Sequence, residues 1–181
     1  MAKPKIYAVE GDITQIPADA LMTAINSGGL WFGGIDRAIQ KVAGNMYHSQ
    51  VERAQPLRDL QTVVAKGTGP HRGKFKDVVF VIDDLESSLD RVIYFGLQTA
   101  NRENYKYLLI PTIRMGVMAG VKETPEEAVI KMAGGLNEFV KRYSGGTNLE
   151  NITEQLLLLA EKISSTDRST IILEKLRILE T

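Results

Sequence analysis

The residues best suited to chemistry lie within 11–44, where polar side chains and paired glycines follow short apolar runs. The apolar run 20–25 predicts a buried strand that ends at Asn26 in the turn sequence N-S-G-G. Gly33 and Gly34 then precede apolar residues spaced i, i+3, i+4, i+7 and i+8, which predicts a helix. Free backbone N–H groups and a positive helix dipole meet at such a start, which suits an anion such as phosphate. Most α/β domains contain this arrangement without a ligand, so geometry alone leaves both alternatives open.

Three polar side chains accompany this helix start. Asp12 follows the first predicted strand, where an Asp either caps a turn or accepts a hydrogen bond from an amino group. Asn26 ends the second strand, where ligands of open α/β sheets usually bind. Asp36 lies in the first turn of the helix, where a carboxylate interacts favourably with the dipole with or without a ligand.

Composition excludes several classes of function. The chain of 181 residues carries no net charge, which argues against a broad nucleic-acid or membrane surface. It contains no cysteine, so disulfides, thiolate metal sites and a Cys nucleophile are excluded, in keeping with the cytoplasmic location that we expect. His48 and His71 lack metal-ligand spacing, so we expect neither a metal nor a cofactor, and no Ser-His-Asp arrangement.

Strand and helix signals alternate along the first 146 residues, which predicts an α/β fold with helices on both faces of the sheet. We predict strands at 6–9, 20–25, 61–65, 77–82 and 107–110, and helices at 34–43, 46–53, 88–101 and 125–144. The run 77–82 is nearly all apolar, as in a central strand that is covered on both faces. Farther on, 153–163 has helical spacing, and 169–179 fits either a strand pair or a helix.

The sequence segments around this helix resemble the macrodomain signature. They are G-D-I-T at 11–14, D-A-L-M-T-A-I-N at 19–26, G-G-I-D-R-A-I at 33–39 and A-G at 43–44, and a weaker match follows at 109–120. The resemblance implies a three-layer α/β/α sandwich with a mixed central sheet. It further implies one domain over 1–181 with a divergent segment from about residue 147, where the family would place a strand near residue 151.

The resemblance also implies roles for single residues. Asp12 would accept a hydrogen bond from the adenine amino group, and the backbone N–H of Ile13 would support the base. Asn26 would contact the distal ribose, and Asp36 would orient a water beside it, which makes these two the candidate catalytic residues. Further ligand-binding residues on the two loops and the second strand would be Thr23, Gly33, Gly34, Ile35, Arg114, Met115, Gly116, Val117 and Met118.

Several of these positions depart from the family pattern. Thr23 stands where an Asn is usual, and Trp31 and Phe32 replace two glycines. Arg114 and Met115 stand where Ser-Thr is usual, and Met118 stands where an aromatic residue often lies. For Arg114 two alternatives remain open: a direct pair with phosphate, or a solvated loop charge.

The function that the resemblance implies is binding of ADP-ribose or a derivative, with hydrolysis at the distal ribose. The substrate would be an ADP-ribosylated protein, an O-acyl-ADP-ribose or ADP-ribose 1″-phosphate. One alternative is a reader that binds ADP-ribose without catalysis, which the departures around the distal ribose favour. Another is an interaction protein that has lost the ligand and self-associates through the Leu-rich segment 152–179.

Overall fold

The computed structural model describes residues 5–29, 34–114, 120–144 and 169–174. Within these ranges the strands are β1 (Lys5–Glu10), β2 (Ala18–Ile25), β3 (Thr62–Ala65), β4 (Phe75–Ile82), β5 (Tyr107–Pro111) and β6 (Ser169–Glu174). The helices are α1 (Ile35–Ala43), α2 (His48–Arg53), α3 (Leu89–Arg102) and α4 (Pro125–Ser144), and a single 3-10 turn spans Ile13–Gln15.

The six strands form one mixed sheet in the order β1-β6-β5-β2-β4-β3. The strands β5, β2 and β4 run parallel to each other, whereas β1, β6 and β3 pair antiparallel with their neighbours. The carboxyl ends of the three parallel strands therefore share one edge of the sheet. In open α/β sheets this edge is the usual place for a ligand.

Alternate residues of the central strands face two different helical layers. Ala20 and Met22 of β2 belong to the apolar core formed with α3 and α4. Leu21 and Ile25 belong to the core on the other face, together with Ile39 of α1. The period of two along β2 thus produces the three-layer α/β/α sandwich with a mixed sheet, and this fold class is confirmed.

Two glycines bring the layers on the α3 side close together. A methyl group at Gly96 would lie 2.2 Å from the sulfur of Met22, so α3 contacts the sheet there. A methyl group at Gly135 would lie 2.5 Å from the carbonyl oxygen of Asp90, so α4 contacts α3 there. At Gly134 the nearest atom would be 4.0 Å away, so close packing explains only one of the two adjacent glycines.

The predicted elements before residue 145 occur with boundaries shifted by a few residues. The Thr124 hydroxyl accepts from the Glu127 N–H at 3.2 Å and so caps α4, whereas the Ser88 side chain makes no capping bond to α3. Residues 169–174 form a strand, one of the two alternatives for that segment. The helix predicted at 153–163 and the strand implied near 151 lie outside the described residues. In the part of the chain that the structure describes, no helix combines the length and apolarity needed to cross a bilayer.

Candidate functional site

The loops after β2 and β4 are joined at the carboxyl edge of the sheet. The N–H of Asp83 donates to the carbonyl of Ile25 at 2.8 Å, and the N–H of Ser27 donates to Asp84 Oδ1 at 2.7 Å. The carbonyl of Asn26 accepts from the N–H of Gly29 at 2.9 Å and closes a turn. These bonds fix the backbone of Asn26, the predicted ribose contact, beside the end of β4.

Asp12 caps the 3-10 turn that follows β1. Its Oδ1 atom accepts from the N–H of Thr14 at 3.0 Å and from the Thr14 hydroxyl at 2.7 Å. Its Oδ2 atom has no hydrogen bond within the described part of the chain, and the side chain is exposed. Ile13 is 7% exposed and packs in the core layer under α1. The carboxylate thus holds the turn with one oxygen and presents the other to solvent.

The helix α1 begins directly after Gly34, whose backbone φ of 56° and ψ of −113° favour glycine. A methyl group there would meet no atom within 4 Å, so the conformation and not the available space calls for glycine. Gly34 has no side chain with which to cap this N-terminus. First-turn N–H groups of a helix lack intrahelical partners, so this start offers donors to an anion.

Asp36 lies close to His48 beneath the starts of α1 and α2. Its Oδ1 atom is 3.9 Å from His48 Nε2, and the two side chains are 1% and 2% exposed. The imidazole contacts the ring of Phe80 edge-on, with ring centroids 5.0 Å apart. Phe80 is paired in register with Thr23, which is also buried. The acid implied by the resemblance therefore forms a buried group with a histidine from the next helix.

Arg114 is buried at the end of β5, so it is not a solvated loop charge. Its Nε and Nη2 atoms donate to the two oxygens of Asp83 at 2.9 and 2.6 Å. Nη2 also donates to the carbonyl of Ser87 at 2.8 Å, and Nη1 donates to Glu123 Oε1 at 2.6 Å. Although burial acts to lower its pKa, these carboxylates raise it, so the guanidinium stays charged.

Glu123 completes this group of charges. Its Oε1 atom also accepts from Lys131 Nζ at 3.1 Å. Burial acts to raise the pKa of Glu123, but the hydrogen bonds from Lys131 and Arg114 outweigh it and lower the pKa to about 2. Together with Asp83, the group contains two cations and two carboxylates, so its charges balance.

A second polar cluster surrounds Asp77, in the amino-terminal half of β4. Its carboxylate accepts from the Tyr105 hydroxyl at 2.6 Å, the Gly67 N–H at 3.0 Å and Lys66 Nζ at 3.3 Å. Burial acts to raise the pKa of Asp77, but these donors lower it overall. The cluster lies away from the carboxyl edge and joins β3 to β4. We therefore interpret it as a cluster that stabilises the fold and not as part of the ligand site.

The structure brings together only part of the predicted set. Asp83 bonds both to Arg114 and to Ile25, the residue before Asn26, so Asn26 and Arg114 lie at the same edge of the sheet, and Asp36 lies close to His48. Ile35 packs with Ile13 in the layer under α1. Outside the described residues lie Gly33, Met115, Gly116, Val117 and Met118, as well as Trp31 and Phe32. In the described ranges, no group of three or more His, Cys, Asp or Glu residues could hold a metal ion.

Sequence reasoning missed two residues of this site. Asp83 directly follows a parallel strand, as Asn26 does, so the rule that pointed to Asn26 also points to Asp83. His48 had no such signal, because its contact with Asp36 depends on how α2 packs beside α1.

Known proteins resemble this chain in sequence and in fold. No family model matches the chain. The chain is 27% identical over 154 residues to the O-acetyl-ADP-ribose deacetylase of Escherichia fergusonii, covering 78% of this chain and 84% of the relative. It is 25% identical over 148 residues to the ADP-ribose glycohydrolase MACROD1 of Mus musculus, covering 77% of this chain and 44% of that protein.

Solved structures share the fold. The Trypanosoma brucei macrodomain in complex with ADP-ribose superposes with a TM-score of 0.65 at 17% identity, covering 85% of this chain and 67% of that chain. The structural likeness shows a shared fold, and the sequence relatives are named for activities on ADP-ribose or its derivatives. The chain has the macrodomain fold and is similar in sequence to macrodomain proteins.

Proposed function

We propose that the protein binds ADP-ribose or a close derivative and hydrolyses it at the distal ribose. The observation that carries the proposal is the start of α1, where Gly34, which has no side chain to cap the helix, leads directly into its first turn. The N–H groups of that first turn suit a diphosphate. The named relatives, an O-acetyl-ADP-ribose deacetylase and an ADP-ribose glycohydrolase, support the same ligand.

Adenine would be recognised at Asp12. The Oδ1 atom is engaged by Thr14, so Oδ2 would accept from the exocyclic amino group of the base. A carboxylate facing an amino group forms a charge-assisted hydrogen bond, whereas it would repel a carbonyl at the same position. The site would therefore prefer adenine to hypoxanthine or guanine.

The chemistry would occur next to Asn26 and Asp36. Asn26 would orient the distal ribose, and Asp36 with a phosphate oxygen would position the attacking water. For an O-acyl derivative, water adds to the ester carbonyl and the ribose hydroxyl leaves, which yields a carboxylic acid and ADP-ribose. An ADP-ribosylated protein or ADP-ribose 1″-phosphate would be hydrolysed at the bond to the distal ribose.

The second candidate is a reader that binds ADP-ribose without turnover. The burial of the Asp36 carboxylate favours it, because a side chain that is 1% exposed has little contact with a reacting water. Incubation of the protein with O-acetyl-ADP-ribose and with an ADP-ribosylated protein distinguishes the two. Release of ADP-ribose supports the hydrolase, and binding without release supports the reader.

Binding itself is tested by calorimetric titration of ADP-ribose into the wild type, Asp12→Ala and Asp12→Asn. The Asn side chain keeps an oxygen for the Thr14 cap but cannot offer a carboxylate to the base. We expect both variants to weaken binding by about tenfold or more, the effect of one charge-assisted hydrogen bond. The analogue with hypoxanthine in place of adenine should bind weakly to the wild type, whereas both variants should discriminate less between the two bases. A folded wild type that does not bind ADP-ribose would contradict the proposal.

A further inference from the structure

One guanidinium connects the loops that follow two parallel strands of the sheet. Arg114 follows β5, and its bonds reach Asp83 after β4, the carbonyl of Ser87 before α3, and Glu123 before α4. The side chains of Arg114 and Asp83 are 3% exposed, and that of Glu123 is 8% exposed. These contacts form inside the protein, where water competes little with them.

Arg114 and Glu123 stand at the two ends of one connection. They are nine residues apart in the chain, Arg114 after β5 and Glu123 before α4. Their ion pair of 2.6 Å closes this connection, and the bidentate pair with Asp83 attaches it to the end of β4. The positions of the described ends, 112–114 and 120–124, therefore depend on the contacts that Arg114 makes with Asp83 and Glu123.

The local backbone also depends on these contacts. Arg114 has a φ of 60°, in the left-handed region that a non-glycine residue adopts only when its surroundings hold it there. Asp83 Oδ1, besides its bond to Arg114, accepts from the N–H of Leu85 at 3.0 Å, and Leu85 has a φ of 62°. A buried ion pair contributes little net stability relative to apolar packing, but it fixes geometry, and removing one partner is costly.

We propose that Arg114 is a positioning residue: with Asp83 and Glu123 it holds residues 112–114 and 120–124, the described ends of the β5–α4 connection, in the geometry that ADP-ribose binding requires, and it does not itself contact the phosphates. The four hydrogen bonds already engage all three guanidinium nitrogens. This inference rests on the proposed ADP-ribose binding for its ligand, whereas the fixing of the loop ends is a property of the free protein.

Two substitutions separate the positioning role from an electrostatic one. Asp83→Asn and Glu123→Gln each remove a negative charge near the proposed anion site, so electrostatics alone predicts tighter binding of ADP-ribose. If Arg114 were a phosphate ligand, release from a carboxylate would also strengthen binding. A positioning role predicts the opposite, because the loop ends lose their attachment.

The experiment measures ADP-ribose affinity by calorimetry and backbone amide exchange by NMR in wild type, Asp83→Asn and Glu123→Gln. The control is Glu86→Gln, an equal charge change at an exposed residue that makes no hydrogen bond or ion pair within the described ranges. We expect about 5- to 30-fold weaker binding for the first two variants and about twofold or less for the control. Amides at 112–114 and 120–124 should exchange faster in these variants, while those of β4 keep the wild-type rate.

Equal or tighter binding by Asp83→Asn and Glu123→Gln, with unchanged exchange at the loop ends, would overturn the positioning role. If Asp83→Asn fails to fold, Glu123→Gln decides, since glutamine keeps the size and one acceptor oxygen. A folded wild type that does not bind ADP-ribose defeats the proposed function instead. In that case amide exchange alone decides: faster exchange at the loop ends supports the fixing role of Arg114, and wild-type exchange refutes it.

Discussion

The carboxylate of Asp36 lies 3.9 Å from the imidazole Nε2 of His48, and both side chains are buried at the starts of successive helices. The resemblance to macrodomains implied a role for Asp36, whereas His48 belongs to no motif in the sequence. Because the two side chains contact each other, a substitution at His48 should alter the proposed reaction through its effect on Asp36.

Replacing Asp36 by Asn tests the catalytic assignment. The amide keeps the shape of the side chain but cannot carry the charge that orients a water, so turnover of O-acetyl-ADP-ribose should fall about 100-fold or more. The dissociation constant for ADP-ribose should stay within about threefold, since the diphosphate donors are unchanged. Turnover close to that of the wild type in Asp36→Asn would remove Asp36 from the mechanism.

His48→Leu tests whether the histidine acts through Asp36. Leucine fills the space against Phe80 but removes the polar contact, so we expect kcat to fall about tenfold with little change in KM, a loss of about 1.4 kcal/mol. The control is His71→Gln, because His71 contacts Tyr47 and Gly73 and not Asp36. Equal losses in the two variants would indicate a general structural effect.

Alanine substitutions at the adjacent glycines of α4, Gly134 and Gly135, should have opposite effects on the free energy of unfolding. Gly135→Ala should lower the free energy of unfolding by about 1–3 kcal/mol, because the methyl group would overlap the Asp90 carbonyl and Ile93 of α3. In Gly134→Ala the methyl group would meet only the Asp90 Cβ atom at 4.0 Å, an ordinary contact, so helix propensity should raise stability by up to about 1 kcal/mol. Urea unfolding of the two variants checks this, and equal effects would mean that α3 and α4 do not approach at Gly135.

Because the pKa of Glu123 is lowered in the folded protein, the free energy of unfolding should depend on pH in the acidic range. A carboxyl group whose pKa is lower in the folded state stabilises the protein above its unfolded pKa, and this contribution disappears as the pH falls through the folded value. Here that interval runs from the ordinary value of 4.5 down to about 2. At pH 7 Glu123→Gln should therefore be less stable by up to about 3 kcal/mol.

The difference between wild type and Glu123→Gln should shrink steadily between those two pH values, as measured by urea unfolding. The exposed Glu86→Gln variant, the control, should differ from the wild type at pH 7 by only a small amount. A constant difference for Glu123→Gln would mean that its carboxylate is not selectively stabilised in the folded protein.

The strands and helices followed from sequence periodicity because their burial is local and repetitive. The strand β4 shows this best: its apolar run predicted a strand covered on both faces, and its residues from Val78 to Ile82 are fully buried. The segment 169–174 was ambiguous, because its apolar residues fit both periods. Pairing with β1 and β5, which no local pattern reveals, makes it a strand.

Side-chain partners were harder to predict than elements. Asp12 and Asn26 lie at the ends of predicted strands, as expected. The partners of Arg114 come from two other loops, and the neighbour of Asp36 comes from another helix, so sequence spacing carries no information about them. The cytoplasmic location and self-association through 152–179 stay predictions, and sedimentation at several concentrations checks the second.

The position of β6 between β1 and β5 bears on how the protein is made. Among the described strands β1 pairs only with β6, and about 160 residues separate the two in the chain. A ribosome that adds about 5–20 residues per second needs on the order of ten to thirty seconds to produce that stretch. During this time the backbone groups of β1 lack their partner strand, as does one side of β5 once residues 107–111 have been made. The emerging chain therefore presents two open strand edges, which are natural targets for chaperones until its last described strand is added.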